Sequence, residues 1–199
     1  MSLSDRDGEI LVKTARSAVT EYLKTKKRLM LLEDFKSKFS YNSGVFVTLN
    51  KAEELRGCIG FPTPERKLYQ SLVDAAIASA TEDPRFSPVK YEELPDISFE
   101  ITVLTLPEEV TVENVLEYPT KIRVGRDGLI VKWEFGAGLL LPQVPVEYGW
   151  NEEEFLNHTC EKAGAPHDCW KRKNTKILRF EGNVFKETSP NGKIIRARL

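Results

Sequence analysis

Apolar and polar residues alternate without a break from Ile97 to Val103. The apolar positions are Ile97, Phe99, Ile101 and Val103, and the polar positions between them are Ser98, Glu100 and Thr102. Because successive side chains of a strand point to opposite faces, this pattern predicts a strand with one buried face. Such strands are typical of antiparallel sheets, since parallel sheets are usually covered on both faces. We therefore expect the chain to build its core against one face of an antiparallel sheet.

Helical periodicity marks three other segments. Helices are predicted over residues 4–29, 63–82 and 151–163, with Ser4, Thr63 and Asn151 as their N-caps. In the second segment Pro64 takes the first helical position, and small residues follow at helical spacing. A stripe of small residues lets a helix lie close to a sheet. Gly164 is expected to end the third helix.

Hairpins connect most of the predicted strands. The first hairpin joins residues 45–50 to residues 55–61, Arg126-Asp127-Gly128 marks a turn between strands at 122–125 and 129–135, and Asn191-Gly192 marks the last turn. Because helices are interspersed among these hairpins, the pattern predicts an α+β fold with a mainly antiparallel sheet and flanking helices.

The composition is that of a folded protein without a strongly charged surface. Of 199 residues, 41% are hydrophobic and 30% charged, so residues 1–199 are expected to form a single domain, or two closely packed lobes, around a core. The formal net charge of −1 predicts neither nucleic acid nor a membrane surface as partner, and no apolar run is long enough to span a bilayer. Three cysteines fit free thiols in a reducing compartment, which predicts a cytoplasmic location.

The segment Leu55–Gly60 places a cysteine between two glycines within a predicted strand. Alternation puts Arg56 and Cys58 on one face, where the guanidinium would stabilise a thiolate unless apolar burial raises the pKa of the thiol instead. Glycine inside a strand marks a bulge, or a place where a ligand or another backbone comes close. Gly57 and Gly60 are therefore candidate binding positions beside an approachable thiol.

Two further interpretations concern Cys58. The residue is expected near the amino-terminal end of the helix that follows Pro64, whose dipole would add to the effect of Arg56 on the thiol. The alternative is a buried Cys58 that packs as a small hydrophobic residue.

Three residues outside this segment are candidate contributors to a site. Arg85, in the loop of residues 83–88, either braces the loop by hydrogen bonds or serves as a binding-site cation. Gln143 either caps a helix end or reaches into a pocket. His158 is either a solvent-facing histidine or a general base.

Both histidines and two of the three cysteines lie within twelve residues, as His158, Cys160, His167 and Cys169. Paired zinc ligands are usually two to four residues apart, whereas one residue separates each histidine here from a cysteine. Inside a helix that spacing puts His158 and Cys160 on nearly opposite faces. Neither a metal site nor a cofactor is predicted, and Cys160 is expected to pack in the core.

The Leu55–Gly60 hexapeptide resembles the signature of the AMMECR-type family, named for a candidate gene in the Alport syndrome, midface hypoplasia and elliptocytosis chromosomal region. Further segments resemble recurring blocks of that family in the same order, namely residues 83–86, 93–95, 138–144, and 155–156 with 160–164. The similarity runs from about Gly44 to near Glu187.

The resemblance implies a larger and a smaller lobe with a cleft between them, lined by the region from Gly57 to Gly60. It also favours Arg85 as a binding residue. Members of the family are without an established biochemical activity. Prokaryotic relatives look as though they belong with Memo-like and radical S-adenosylmethionine proteins, which implies such proteins as partners and a role in a modification pathway.

Two functions fit these features. In the first, the protein is an enzyme in which Cys58 is a nucleophile or redox-active thiol, and Arg56 lowers its pKa or binds an anionic group. Arg85 would then hold the substrate, and His158 is the candidate base. In the second, the same groove is a non-catalytic binding module for an anionic small molecule or a protein partner, while Cys58 only packs. The sequence leaves the choice open.

Overall fold

The computed structural model describes residues 3–197, which fold as two compact units. Within these residues, the first unit comprises residues 3–104 and 183–197, and the second comprises residues 105–182. None of the helices in the described range combines the length and the apolar character that crossing a bilayer requires.

The first unit packs helices on one face of an antiparallel sheet. Its elements up to residue 104 are α1 (Asp5–Thr25), α2 (Glu33–Lys38), β1 (Val45–Lys51), β2 (Glu54–Phe61), α3 (Leu68–Thr81) and β3 (Ile97–Leu104). β1 lies between β2 and β3 and pairs antiparallel with both. The core includes Leu11 of α1, Leu72 of α3, Val47 of β1 and Ile101 of β3, all fully buried. The hairpin of β1 with β2 is confirmed. Burial alternates along β3 only as far as Ile101, because Thr102, on the face predicted to be polar, is also buried.

The second unit has its own core. Its elements are β4 (Glu108–Glu109), α4 (Tyr118–Lys121), β5 (Asp127–Trp133), β6 (Gly136–Leu140), α5 (Gln143–Tyr148) and α6 (Glu152–Lys162). β5 and β6 form an antiparallel hairpin, and Leu129 and Val131 of β5 are buried with Phe155 of α6 and Trp170.

The strand β7 (Lys176–Glu187) belongs to both units. Its first half pairs with β4 and β5 in the second unit. Its last residues lie in the first unit and pair with β8 (Ile194–Ala197) through the predicted turn at Asn191-Gly192. All these pairings are antiparallel, so the α+β class with a mainly antiparallel sheet is confirmed. The single domain over residues 1–199 and the cleft between lobes stay predictions.

Two predicted helix starts are confirmed and one is wrong. Ser4 caps α1 and Asn151 caps α6, each in a capping box with the residue three positions later. The helix predicted from Thr63 begins instead at Leu68, without a side-chain cap. Residues 63–66 form bends and a turn, and Lys67 is extended and pairs with Asn42 in an isolated bridge, so the helix starts only after Lys67.

The hairpin turn predicted at Arg126-Asp127-Gly128 is also wrong. Asp127 is fully buried at the start of β5, where its carboxylate accepts hydrogen bonds from the N–H of Arg123 and the guanidinium of Arg126. Residues 122–125 therefore form a turn around this carboxylate rather than a strand, and the hairpin turn lies between β5 and β6.

Cys160 and Cys169 form a disulfide, so the expectation of three free thiols is wrong for these two residues. Gly164 adopts a positive φ after α6 and turns the chain back. The two Cα atoms then lie 5.8 Å apart, within the range that a disulfide spans.

Candidate functional site

Cys58 lies on the face of β2 that points away from α3. Its neighbour in the adjacent strand β1 is Thr48, whose hydroxyl donates a hydrogen bond to Cys58 Sγ at 3.3 Å. The side chain is half-buried, and Cys58 is the one free cysteine of the described chain. Both interpretations of Cys58, as an approachable thiol and as a packing residue, stay predictions.

The two glycines beside Cys58 have packing reasons. A Cβ on Gly57 would overlap the carbonyl oxygen of Ser79, because the last turn of α3 lies directly on β2. A Cβ on Gly60 would overlap the ring of Phe46 in β1. The backbone approach expected from sequence is thus that of α3, and binding roles for Gly57 and Gly60 stay predictions.

Asp83 and Arg85 together bind the backbone N–H and the carbonyl of Cys58 along one edge of β2. The N–H of Cys58 donates to Asp83 Oδ2 at 2.8 Å, and Arg85 Nη2 donates to the carbonyl of Cys58 at 3.3 Å. Arg85 also donates to both carboxylate oxygens of Asp83, at 3.0 and 2.7 Å. These hydrogen bonds hold the pKa of Asp83 well below its usual range. We call this arrangement the Asp83–Arg85 clamp.

The clamp joins a buried group to an accessible one. The Asp83 side chain is 2% exposed, whereas that of Arg85 is 53% exposed. Arg85 therefore braces the loop, as the first of its two interpretations predicted, and it also presents part of its guanidinium to solvent.

Arg56 is engaged away from Cys58, at the point where the pairing of β2 with β1 shifts register. Its guanidinium donates to both carboxylate oxygens of Glu93, at 3.3 and 3.1 Å, and to the carbonyl of Ser87 at 2.9 Å. The hydrogen bonds from Arg56 lower the pKa of Glu93 to about 2. This geometry makes Arg56 a brace between β2 and the segment that precedes β3, and its catalytic role stays a prediction.

The surroundings of Cys58 favour a neutral thiol. Burial raises the pKa of the Cys58 thiol, and the Thr48 hydrogen bond and the charge of Arg85 oppose that shift without reversing it. The expectation about the helix is wrong, because Cys58 lies beside the carboxyl-terminal end of α3, where Ser79 contacts Gly57. That end of a helix carries partial negative charge and does not stabilise a thiolate.

Glu100 is a residue of this face that the sequence analysis did not single out. It pairs in register with Thr48 on the side of β1 opposite to Cys58. Burial raises the pKa of its carboxyl group. The alternation of apolar and polar residues along β3 placed Glu100 on the polar face. The strand register then sets Glu100, Thr48 and Cys58 side by side across the three strands.

Gln143 and His158 lie in the second unit. Gln143 is the first residue of α5, and its buried Oε1 accepts no hydrogen bond from any described residue. The ring of His158 stacks on Trp150 at 3.9 Å between centroids, and its Nδ1 lies 2.8 Å from Glu161 Oε2. Both site roles stay predictions.

Residues 3–197 contain no group of three or more His, Cys, Asp or Glu side chains arranged to hold a metal ion. In residues 158–169, the segment considered above as a zinc site, Cys160 and Cys169 are bonded to each other. His167 Nδ1 lies 2.8 Å from Glu161, which His158 also contacts.

A protein-family model described as AMMECR1 matches residues 12–185 of the chain. The chain belongs to the AMMECR1 family. The AMMECR1 match includes every residue of the site around Cys58. A protein of Methanothermobacter thermautotrophicus is 52% identical over 185 residues, which cover 93% of this chain and 96% of that protein.

The similarity extends to a solved structure. Protein PH0010 of Pyrococcus horikoshii is 50% identical over 202 residues, covering 99% of this chain and 98% of that protein. The crystal structure of PH0010, described as an uncharacterized protein, aligns with a TM-score of 0.85 over 99% of both chains.

Proposed function

We propose that the protein is a thiol-dependent enzyme in which Cys58 acts as a nucleophile on an electrophilic group of its substrate, within a modification pathway. The observation that carries this proposal is the Asp83–Arg85 clamp. A buried carboxylate and an arginine fix the N–H and the carbonyl of one half-exposed cysteine. Sites that perform chemistry need such support, because the reacting atom must be held in place by neighbours that are themselves fixed.

Nucleophilic chemistry fits Cys58 better than a dithiol redox cycle. A dithiol cycle needs a second thiol that resolves the oxidised cysteine. The other two cysteines are bonded to each other in the second unit. Cys58 would therefore act alone, through a covalent bond from Sγ to the substrate.

Binding of an anionic ligand through the arginines has less support. Arg56 faces Glu93 and Arg85 faces Asp83, so each guanidinium already has a carboxylate partner within hydrogen-bond distance. An incoming anion would compete with a group that the fold supplies. Arg85, being half-exposed, is the better of the two for holding a polar part of the substrate.

Alkylation by iodoacetamide tests the proposal. We would label native protein between pH 6 and pH 10 without reductant, and quantify carbamidomethyl Cys58 by peptide mass spectrometry. Cys58 is expected to react in the folded protein, with a midpoint above the value of about 8.5 for a free thiol. A second arm adds neutral acyl donors such as p-nitrophenyl acetate, and an acyl adduct on Cys58 that Cys58→Ser lacks would support a nucleophile.

Protection of Cys58 from every reagent in the native protein, with normal labelling after unfolding in urea, would overturn the proposal. In that case the non-catalytic binding module becomes the function to test, and Arg85→Met is the variant expected to remove binding.

A further inference from the structure

The first unit contains a groove of about 710 Å³. The turn between β1 and β2 lines it together with residues 95–96, residues 98–100 of β3, and residues 186–190 at the end of β7. All of these residues belong to the first unit, and β3 lies between β1 and β7 in the sheet. The groove therefore has the size of a small-molecule site and is complete within one unit.

Glu100 lines this groove without a structural partner. Its side chain lies on the face of β3 opposite to that of Phe99, which packs in the core. It accepts no hydrogen bond and forms no ion pair within residues 3–197, and burial raises the pKa of its carboxyl group. A half-buried carboxylate costs free energy unless a cation or a hydrogen-bond donor replaces the lost water. A cationic group of a ligand in the groove would supply that replacement.

Lys186 brings a positive charge to the same groove. It follows Phe185, which packs in the core, so the Lys186 side chain leaves β7 on the opposite face. Its charge acts on Glu100 through space, but the two side chains form no ion pair with each other. Lys186 is exposed and pairs with no other carboxylate of the described chain. An anionic group of a ligand could therefore reach Lys186 without displacing a partner.

The remaining charges of the groove are paired or fully exposed. They belong to Lys51, Glu53, Asp96 and Glu187. Lys51 is paired with Glu93, and Glu187 is paired with Arg16. Glu53 and Asp96 are exposed, where ion pairs contribute little. Glu100 and Lys186 are thus the two opposite charges that a ligand in the groove would meet.

Asn50 of β1 adds an uncharged polar group to the lining. A side-chain amide can donate to a carboxylate and accept from an ammonium group. The groove thus combines a carboxylate, an ammonium group and an amide that suit a ligand with one charge of each sign.

We propose that the groove binds a free amino acid, with the ammonium group of the ligand on Glu100 and its carboxylate on Lys186. A zwitterion of this kind carries the same two charges as the groove, in the complementary order. A phosphate monoester carries close to two negative charges near pH 7, which Lys186 alone would not balance. Cys58 does not line the groove, so this binding site is independent of the proposed chemistry at Cys58.

Ligand-observed NMR tests the proposal with the twenty standard L-amino acids as probes. Each amino acid is added at millimolar concentration to the full chain, and binding is detected by saturation transfer from the protein. Direct binding is preferable to a melting assay, because solutes excluded from the protein surface stabilise folded proteins without binding. We expect at least one amino acid to bind in a saturable manner.

Three variants locate the bound amino acid. Glu100→Gln should weaken binding by about 10-fold or more, because it removes a partly desolvated ion pair. Lys186→Met should weaken binding by about 3-fold, since Lys186 is exposed. Glu53→Gln, which removes an exposed carboxylate from the same groove, is the matched control and should bind as wild type does.

Two analogues of the bound amino acid assign its charged groups. The amide lacks the carboxylate, and the deaminated acid lacks the ammonium group. Lys186→Met should leave binding of the amide unchanged, and Glu100→Gln should not weaken binding of the deaminated acid. A variant that only disturbed the fold would instead weaken every ligand alike.

Absence of saturation transfer to all twenty amino acids would overturn the proposal. Binding that Glu100→Gln leaves unchanged would also overturn it, because the ligand would then lie elsewhere. Should Glu100→Gln fail to fold, Lys186→Met decides. A loss for the amino acid but not for its amide would support the proposal, and equal effects on both ligands would refute it. Alkylation of Cys58 tests the proposed function separately from all of these results.

Discussion

Replacement of Asp83 with asparagine asks whether the Asp83–Arg85 clamp stabilises the first unit and holds Cys58. The substitution keeps the shape of the side chain and removes its charge. Asparagine also replaces one acceptor oxygen by an NH₂ group, which cannot accept a hydrogen bond from Cys58 or Arg85. We expect the free energy of unfolding to fall and the Cys58 side chain to become more reactive toward alkylation.

The magnitude follows from the hydrogen bonds. Asp83 accepts from the N–H of Cys58, the N–H of Arg85, and the Nε and Nη2 of Arg85, at 2.7 to 3.1 Å. A bond to a charged acceptor is worth about 1 kcal/mol more than a neutral one, which gives about 4 kcal/mol for the set. Burying an asparagine costs less free energy than burying a carboxylate. Solvent also weakens the hydrogen bonds from Arg85, because Arg85 is half-exposed. The net destabilisation should be about 2–3 kcal/mol, or a fall in Tm of about 5–10 °C for a chain of this size.

Urea unfolding measures the loss of stability, and iodoacetamide alkylation at pH 8 measures the reactivity of the Cys58 thiol. Cys58 should react several-fold faster in Asp83→Asn, because its peptide is freed and a negative charge beside the thiol is gone. The matched control is Asp127→Asn in the second unit, which removes a buried carboxylate that also accepts from an arginine and a backbone N–H. The control should lose stability without changing the alkylation rate.

An unfolding free energy of Asp83→Asn within about 0.5 kcal/mol of wild type would refute the account of the clamp, since surface substitutions have effects of that size. Equal acceleration of alkylation in both variants would show that general loosening, and not the clamp, controls the thiol.

Three further results are expected. Arg56 lowers the pKa of Glu93 to about 2, and the Glu93 side chain is 23% exposed. The pair should therefore contribute about 1–2 kcal/mol to the free energy of unfolding. This contribution is complete above about pH 4.5 and is lost as the pH falls toward 2. The urea midpoint of Arg56→Met should accordingly fall less than that of wild type between pH 6 and pH 3, and equal slopes would contradict this. Gly57→Ala should destabilise the first unit by about 2–3 kcal/mol in urea, because the added Cβ overlaps the carbonyl of Ser79. An unchanged stability would mean instead that α3 can shift away from β2. Reduction of the disulfide in the second unit, whose cysteines are nine residues apart, should cost that unit about 2–3 kcal/mol in the same assay, and an unchanged midpoint would contradict the loop-entropy argument.

Local signals in the sequence predicted local structure well. The alternation around Glu100 predicted β3, and the capping residues Ser4 and Asn151 predicted the starts of α1 and α6, because these patterns involve residues within one element. The α+β class follows from them. Features that depend on how separate elements meet were not predictable in the same way.

The site around Cys58 shows which features depend on contacts between separate elements. Sequence alternation put Cys58 and Arg56 on one face, but whether Arg56 contacts the thiol or a carboxylate depends on Glu93, 37 residues away in the chain. The row through Thr48 required the register of β1 against both neighbours. The position of Cys58 beside the carboxyl-terminal end of α3 depends on how α3 packs on β2, where Ser79 lies against Gly57.

The path of β7 has a consequence for synthesis of the chain. The first unit lacks its last strands until residues 183–197 have been made, and those residues bring Phe185 against Gly8 and Glu187 to Arg16. Residues 105–182 are complete before that point. We therefore expect the second unit to fold first on the ribosome, although the amino-terminal half of the chain emerges earlier. A nascent chain that has emerged from the ribosome only as far as residue 182 would hold a finished second unit and a first unit whose core still lacks Phe185.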